Sequence, residues 1–63
     1  MKNLKERYSY YKDLDDKGIY VNPYSFDDEM MDLLNKSGLK YGSTEWLDWE
    51  SKISDLGMEF FEY

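Results

Sequence analysis

The chain has 63 residues, a net charge of −6, 19% aromatic residues and neither cysteine nor histidine. That composition excludes disulfides, zinc sites and thiol chemistry, and it removes the commonest general base and the strongest nucleophile of enzyme sites. A domain this short buries a modest core and relies on aromatic packing or self-association, while its acidity disfavours direct binding to nucleic acid or anionic membranes.

The charge is uneven. Residues 1–24 carry five cations against four carboxylates, whereas residues 25–63 carry three cations against ten, a local net of −7.

Residues 1–6 read as a frayed lead-in. They offer no apolar run for a signal peptide, and no stretch approaches the ~18 apolar residues of a membrane span, so a cytoplasmic protein is expected. From Arg7 to Leu14 two patterns compete. Leu4, Tyr8, Tyr11 and Leu14 have helical spacing, but a tyrosine-rich run suits a strand better than an isolated helix. Asp15-Asp16-Lys17-Gly18 reads as a turn with glycine in the left-handed position, and Ile19-Tyr20-Val21 as a compact strand. The expectation is a β-hairpin over about 7–14 and 19–22.

Pro23 ends that second strand. Ser25, three residues before Asp28, forms an approximate capping box, and Asp27, Asp28 and Glu29 suit a first helical turn. Phe26, Met30, Leu33 and Leu34 share one face, and Gly38 closes the segment, which predicts a helix over about 26–37. Ser43 or Thr44 caps a second helix, with Trp46, Trp49, Ile53 and Leu56 as its apolar stripe. Gly57 costs about 1 kcal/mol inside a helix relative to alanine and reads as a stop. The aromatic run 58–63 then reads as a strand.

The expected fold is therefore α+β and a single domain over 1–63. An N-terminal hairpin and the strand 58–63 form a three-stranded antiparallel sheet, accompanied by helices at about 26–37 and 44–56. The alternative is a three-helix all-α fold. There the stretch from Thr44 to Tyr63 is one helix, and Glu45, Asp48, Asp55, Glu59 and Glu62 make a continuous acidic arc beside the apolar stripe.

Candidate chemistry is sparse. Asp13, Asp15 and Gly18 match the opening of a calcium loop, but Lys17 takes a ligand position and Tyr24 replaces the bidentate glutamate. The carboxylate pairs Asp27-Asp28-Glu29 and Glu45–Asp48 need a water-poor pocket before they can work as acid and base, and a chain of this length has little room for one. The tyrosines near Lys5, Arg7 and Lys12 suggest base stacking, against a local charge of only +1. No enzyme activity, cofactor or metal is expected.

A partner surface remains. Asp27, Asp28, Glu29, Asp32, Glu45, Asp48 and Asp55 are the candidate partner-binding residues. Held on two helices at intervals comparable to phosphates, they would imitate a nucleic-acid backbone and occupy the basic surface of a nucleic-acid-binding protein. The plainer reading of the same acids is a solvating face. Leu47 lies about 140° from the Trp49–Leu56 line and, with Met31, marks a second contact surface suited to a structural or regulatory module, including a homodimer. In size and composition the chain resembles small inhibitors carried by phages and other mobile elements, which block host restriction, repair and CRISPR nucleases. That resemblance implies a role as an inhibitor and assigns no residue a function.

Overall fold

The computed structural model describes residues 3–63, and their regular structure is three helices, α1 Leu4–Asp16, α2 Pro23–Asn35 and α3 Thr44–Phe61. The predicted α+β fold is overturned in favour of the all-α alternative, with no strand among the described residues. Of the expected lead-in, positions 1 and 2 lie outside the described residues, while Leu4–Glu6 already belong to the first turn of α1.

The hairpin fails for a reason of partners. In a strand, Tyr8 and Tyr10 would share one face and Tyr11 the other. Here Tyr8 and Tyr11 both turn inward and Tyr10 faces water. Tyr8 meets the Trp49 ring edge-on at 5.6 Å, and Tyr11 meets Phe26 at 5.0 Å. Only helical spacing presents Leu4, Tyr8, Tyr11 and Leu14 to the same core, so tertiary packing overrides the β-preference of tyrosine. Asn3 caps the start, its Oδ1 accepting from the Glu6 amide at 2.8 Å.

Gly18 does take a left-handed φ of 72°. It does so as a helix terminator, not in a hairpin turn. The amides of Gly18 and Ile19 donate to the carbonyls of Asp15 and Leu14 at 3.0 and 2.9 Å, the paired bonds of a Schellman motif. The stretch expected as a second strand, 19–22, is an irregular link.

α2 begins three residues earlier than predicted. Pro23 sits at its first position, and Asn22 rather than Ser25 is the cap, accepting from the amides of Tyr24 and Ser25 at 2.9 and 3.2 Å. Proline suits that position because its missing N–H has no helical partner there. α2 ends at Asn35, short of the predicted residue 37.

α3 runs through Gly57, so the strand 58–63 is not formed. Ser43 caps it, accepting from the Trp46 amide at 3.2 Å. The missing Cβ of Gly57 is filled from outside the helix. A methyl there would sit 3.6 Å from Phe26 Cε2, so the Phe26 ring packs directly on the glycine backbone. Continuing the helix also carries Phe60 to the core face of Ile53 and Leu56, and all three are buried. An aromatic strand would have forfeited that burial.

The core comprises Leu4 and Tyr11 from α1, Phe26, Met30 and Leu34 from α2, and Trp46, Ile53, Leu56 and Phe60 from α3. Trp49, expected in the core, is half-buried against it, as are Met31, Leu33 and Leu39. The interface between α2 and α3 is the most extensive of the three. Among the described residues, no helix is long and apolar enough to cross a membrane.

Candidate functional site

The seven candidate carboxylates do not form one array. Asp27 and Glu29 lie about 160° apart around α2, on opposite flanks of its buried stripe. Glu29 turns to α1 and belongs to the fold. Its carboxylate pairs with the Arg7 guanidinium through both Nε and Nη2, and Oε1 accepts from the Tyr11 hydroxyl at 2.6 Å. The bond to Glu29 raises the Arg7 pKa further, and burial foremost, with the bond to Glu29, raises that of Tyr11. Glu29 is thereby withdrawn from any partner surface.

Asp32 and Asp48 remain exposed but are each matched by a lysine one turn on, Lys36 at 3.0 Å and Lys52 at 3.4 Å. Such exposed pairs are weak and leave both groups accessible. Asp27, Asp28, Glu45 and Asp55 are exposed and carry no ion pair among the described residues.

The continuous α3 restores two residues that the predicted strand had removed. Asp48, Asp55 and Glu62 recur every seven residues, so they drift only about 20° per step and line one outer edge of the helix. Glu59 falls between the last two on the same side. All four are exposed. Together, with Lys52 set between the first two and paired with Asp48, they form a net acidic ridge about 21 Å long. The signal for Glu59 and Glu62 is the acidic arc of a continuous helix, which a stop at Gly57 breaks.

The ridge is sparser than expected. Its axial steps of about 4.5–10.5 Å compare with about 3.4 Å of helix axis per phosphate on one strand of DNA. It therefore offers a negative field, not a phosphate-for-phosphate copy. It also sits where the helix dipole opposes it. The last turn of α3 contains no basic residue, although that end of a helix favours cations.

Beside the ridge runs a groove between α2 and α3 of about 330 Å³, floored by Gly57 and Ile53 and walled by Tyr24, Asp27, Met58 and Phe61. Its edges are apolar and open to water: Tyr24, Met58 and Phe61 are 70%, 63% and 58% exposed. Tyr24 and Phe61 meet edge-to-face at 5.3 Å across it. Among the described residues, the only charged one in its lining is Asp27. A larger cleft of about 700 Å³ elsewhere carries Lys5 and Lys36 and no carboxylate, so it adds nothing to the acidic surface.

The calcium-loop acids are engaged elsewhere. Asp13 pairs with Lys17 at 2.9 Å, and Asp15 accepts from the Tyr63 hydroxyl at 2.7 Å. Among the described residues, no cluster of three metal-ligating side chains occurs.

No protein-family model, curated protein or solved structure matches the chain.

Proposed function

We propose that the protein is a small non-enzymatic inhibitor that occupies the basic nucleic-acid-binding surface of another protein, with the acidic ridge of α3 as its leading face. The observation that carries this reading is the run Asp48, Asp55, Glu59 and Glu62 along one edge of a single helix. The carboxylates of the last turn work against the helix dipole, so local stability does not account for them. A fixed negative face speeds encounter with a basic groove and is screened by salt. Asp27 and Asp28 add charge from α2, whereas Glu29 is spent on the fold.

The test starts with capture from host lysate on the immobilised protein, followed by challenge of the captured protein with its own DNA or RNA. Nucleic acid should displace the inhibitor, and rising salt should weaken the complex. The variant carrying Asp55→Lys, Glu59→Lys and Glu62→Lys should lose capture with native circular dichroism, because lysine at the end of α3 suits the dipole. Capture unchanged by this triple substitution, or a partner that holds nucleic acid and inhibitor together, overturns the reading.

A second reading, an interaction module that pairs with itself, draws on the exposed Leu47, Met58 and Phe61. Sedimentation over a range of concentrations tests it, and a strict monomer at high concentration refutes it.

A further inference from the structure

Leu47, Ser51, Ser54, Met58 and Phe61 follow alternating four- and three-residue steps along one flank of α3. This is the spacing with which a helix presents a seam to another helix. The large side chains stand at the two ends, and the two serines leave the middle low. Tyr24 and Asp27 of α2 form the opposite wall at the Phe61 end, and the Gly57 backbone lies in the floor. The result is a groove over the Gly57 backbone with apolar rims, bridged at one end by the Tyr24–Phe61 contact and continued toward Leu47 as an exposed flank of α3.

Charge selects the occupant. Met58 lies three residues after Asp55 and four before Glu62, so both carboxylates are its neighbours on the helix surface. Asp27 supplies a negative charge on the other wall, and among the described residues no lysine or arginine lines the groove. A second copy of the chain would set these carboxylates against one another. A basic helix would meet them on both sides while laying its apolar residues between them.

We propose that the α2–α3 groove receives the apolar face of a basic amphipathic helix on the partner protein, with the partner's lysines and arginines meeting Asp27 on one wall and Asp55 and Glu62 on the other. This rests on the proposed function in taking the partner to be basic, and it names the element that is gripped. Recognition follows the helix-in-groove mode, with side chains one turn apart as anchors. The groove, about 330 Å³, lies at the small end of ligand-pocket volumes and its rims are open to water, so it suits a few side chains of a docked helix.

The probe is a synthetic leucine–lysine peptide of about 18 residues with leucine at helical spacing, titrated into the full chain by calorimetry in about 0.1 M salt. A scrambled peptide of the same composition and a leucine–glutamate peptide are the comparisons. The amphipathic basic peptide should bind and the other two should not. Met58→Lys should weaken binding about tenfold or more, because it removes an apolar rim contact and sets a cation in the groove lining against a basic peptide. Asp13→Asn makes the same charge change at an exposed site on α1, outside the groove lining, and should leave binding nearly intact. Circular dichroism checks that both variants fold. Equal binding of the scrambled peptide, or equal weakening by the two substitutions, overturns the proposal, because charge alone would then suffice. A dimer that Met58→Lys dissolves also overturns it, since the occupant is then a second copy. Loss of capture in the triple lysine variant, with Met58→Lys still capturing fully, would overturn the groove and leave the inhibitory reading standing. The converse result, peptide binding in the groove without competition from nucleic acid, would reverse that outcome.

Discussion

The Tyr11 hydroxyl donates to Glu29 Oε1 at 2.6 Å while accepting from Arg7 Nη2 at 3.1 Å, so one residue of α1 passes a hydrogen bond between the two halves of an ion pair that joins α1 to α2. Glu29→Ala leaves the Arg7 side chain, only 16% exposed, without its anion. The expected loss in urea unfolding is about 1–3 kcal/mol, toward the lower end because water still reaches the carboxylate. The Tyr11 pKa is raised from 10 by burial first and by its bond to Glu29 second. Its folded form thus keeps its proton to higher pH than the unfolded chain does. The associated stability is fully present below pH 10 and is lost as pH rises through the folded value. Tyr11→Phe should flatten that alkaline loss.

Tyr63 reports a second junction. Its hydroxyl donates its one hydrogen to Asp15, whose backbone oxygen and Oδ1 lie 2.9 and 2.7 Å away. The bond to the carboxylate is the main cause that raises the phenol pKa to about 12. In a Tyr11→Phe background, which removes the other raised phenol, phenolate absorbance should therefore show a late-titrating tyrosine. Asp15→Asn removes the negative acceptor and should return that step toward 10. An unchanged late step in the variant contradicts the assignment.

Gly57→Ala should stabilise the protein. The site is helical with no left-handed requirement, and the new methyl would meet Phe26 at an ordinary 3.6 Å. The gain in urea unfolding should be about 0.4–1 kcal/mol. A glycine that truly ended the helix in a left-handed cap would give the opposite sign.

Asn22→Ala and Ser25→Ala separate the real helix start from the expected one. Asn22 satisfies two amides of the first turn of α2, and its loss should cost about 1 kcal/mol. Ser25 is an exposed residue inside that turn. Its replacement should change stability by less than about 0.5 kcal/mol, as for most surface sites. Thermal melts of the two variants should differ accordingly.

The helices were legible wherever local rules and packing agreed. Phe26, Met30 and Leu34 read as the buried face of α2 and Trp46, Ile53 and Leu56 as the stripe of α3, whereas Trp49 of that stripe is half-buried and Phe60, expected on a strand, is buried only because the helix continues. The errors came where a local preference was weighed without its distant partner. Tyrosines favour strands on average, yet Tyr8 and Tyr11 had Trp49 and Phe26 waiting at helical spacing. Gly57 favours a helix end on average, yet the Phe26 ring fills the space of its side chain. Both partners lie far away in sequence, and no window along the chain contains them. Glu29 reads like its acidic neighbours along the chain, yet its carboxylate meets Arg7, 22 residues away.

The way α1 is fastened has a consequence for the order in which the molecule comes apart. α1 contributes two buried residues, whereas α2 and α3 contribute four each. Its remaining anchors are the Arg7–Glu29–Tyr11 seam, the Tyr63–Asp15 bond and the edge of Trp49. Polar seams near water resist opening less than a dry apolar contact does. The α2–α3 pair is the cooperative unit of the fold, and α1 is a clasp that lifts first. Amide hydrogens of α1 should exchange through this partial opening at lower free energy than those around Met30 and Ile53.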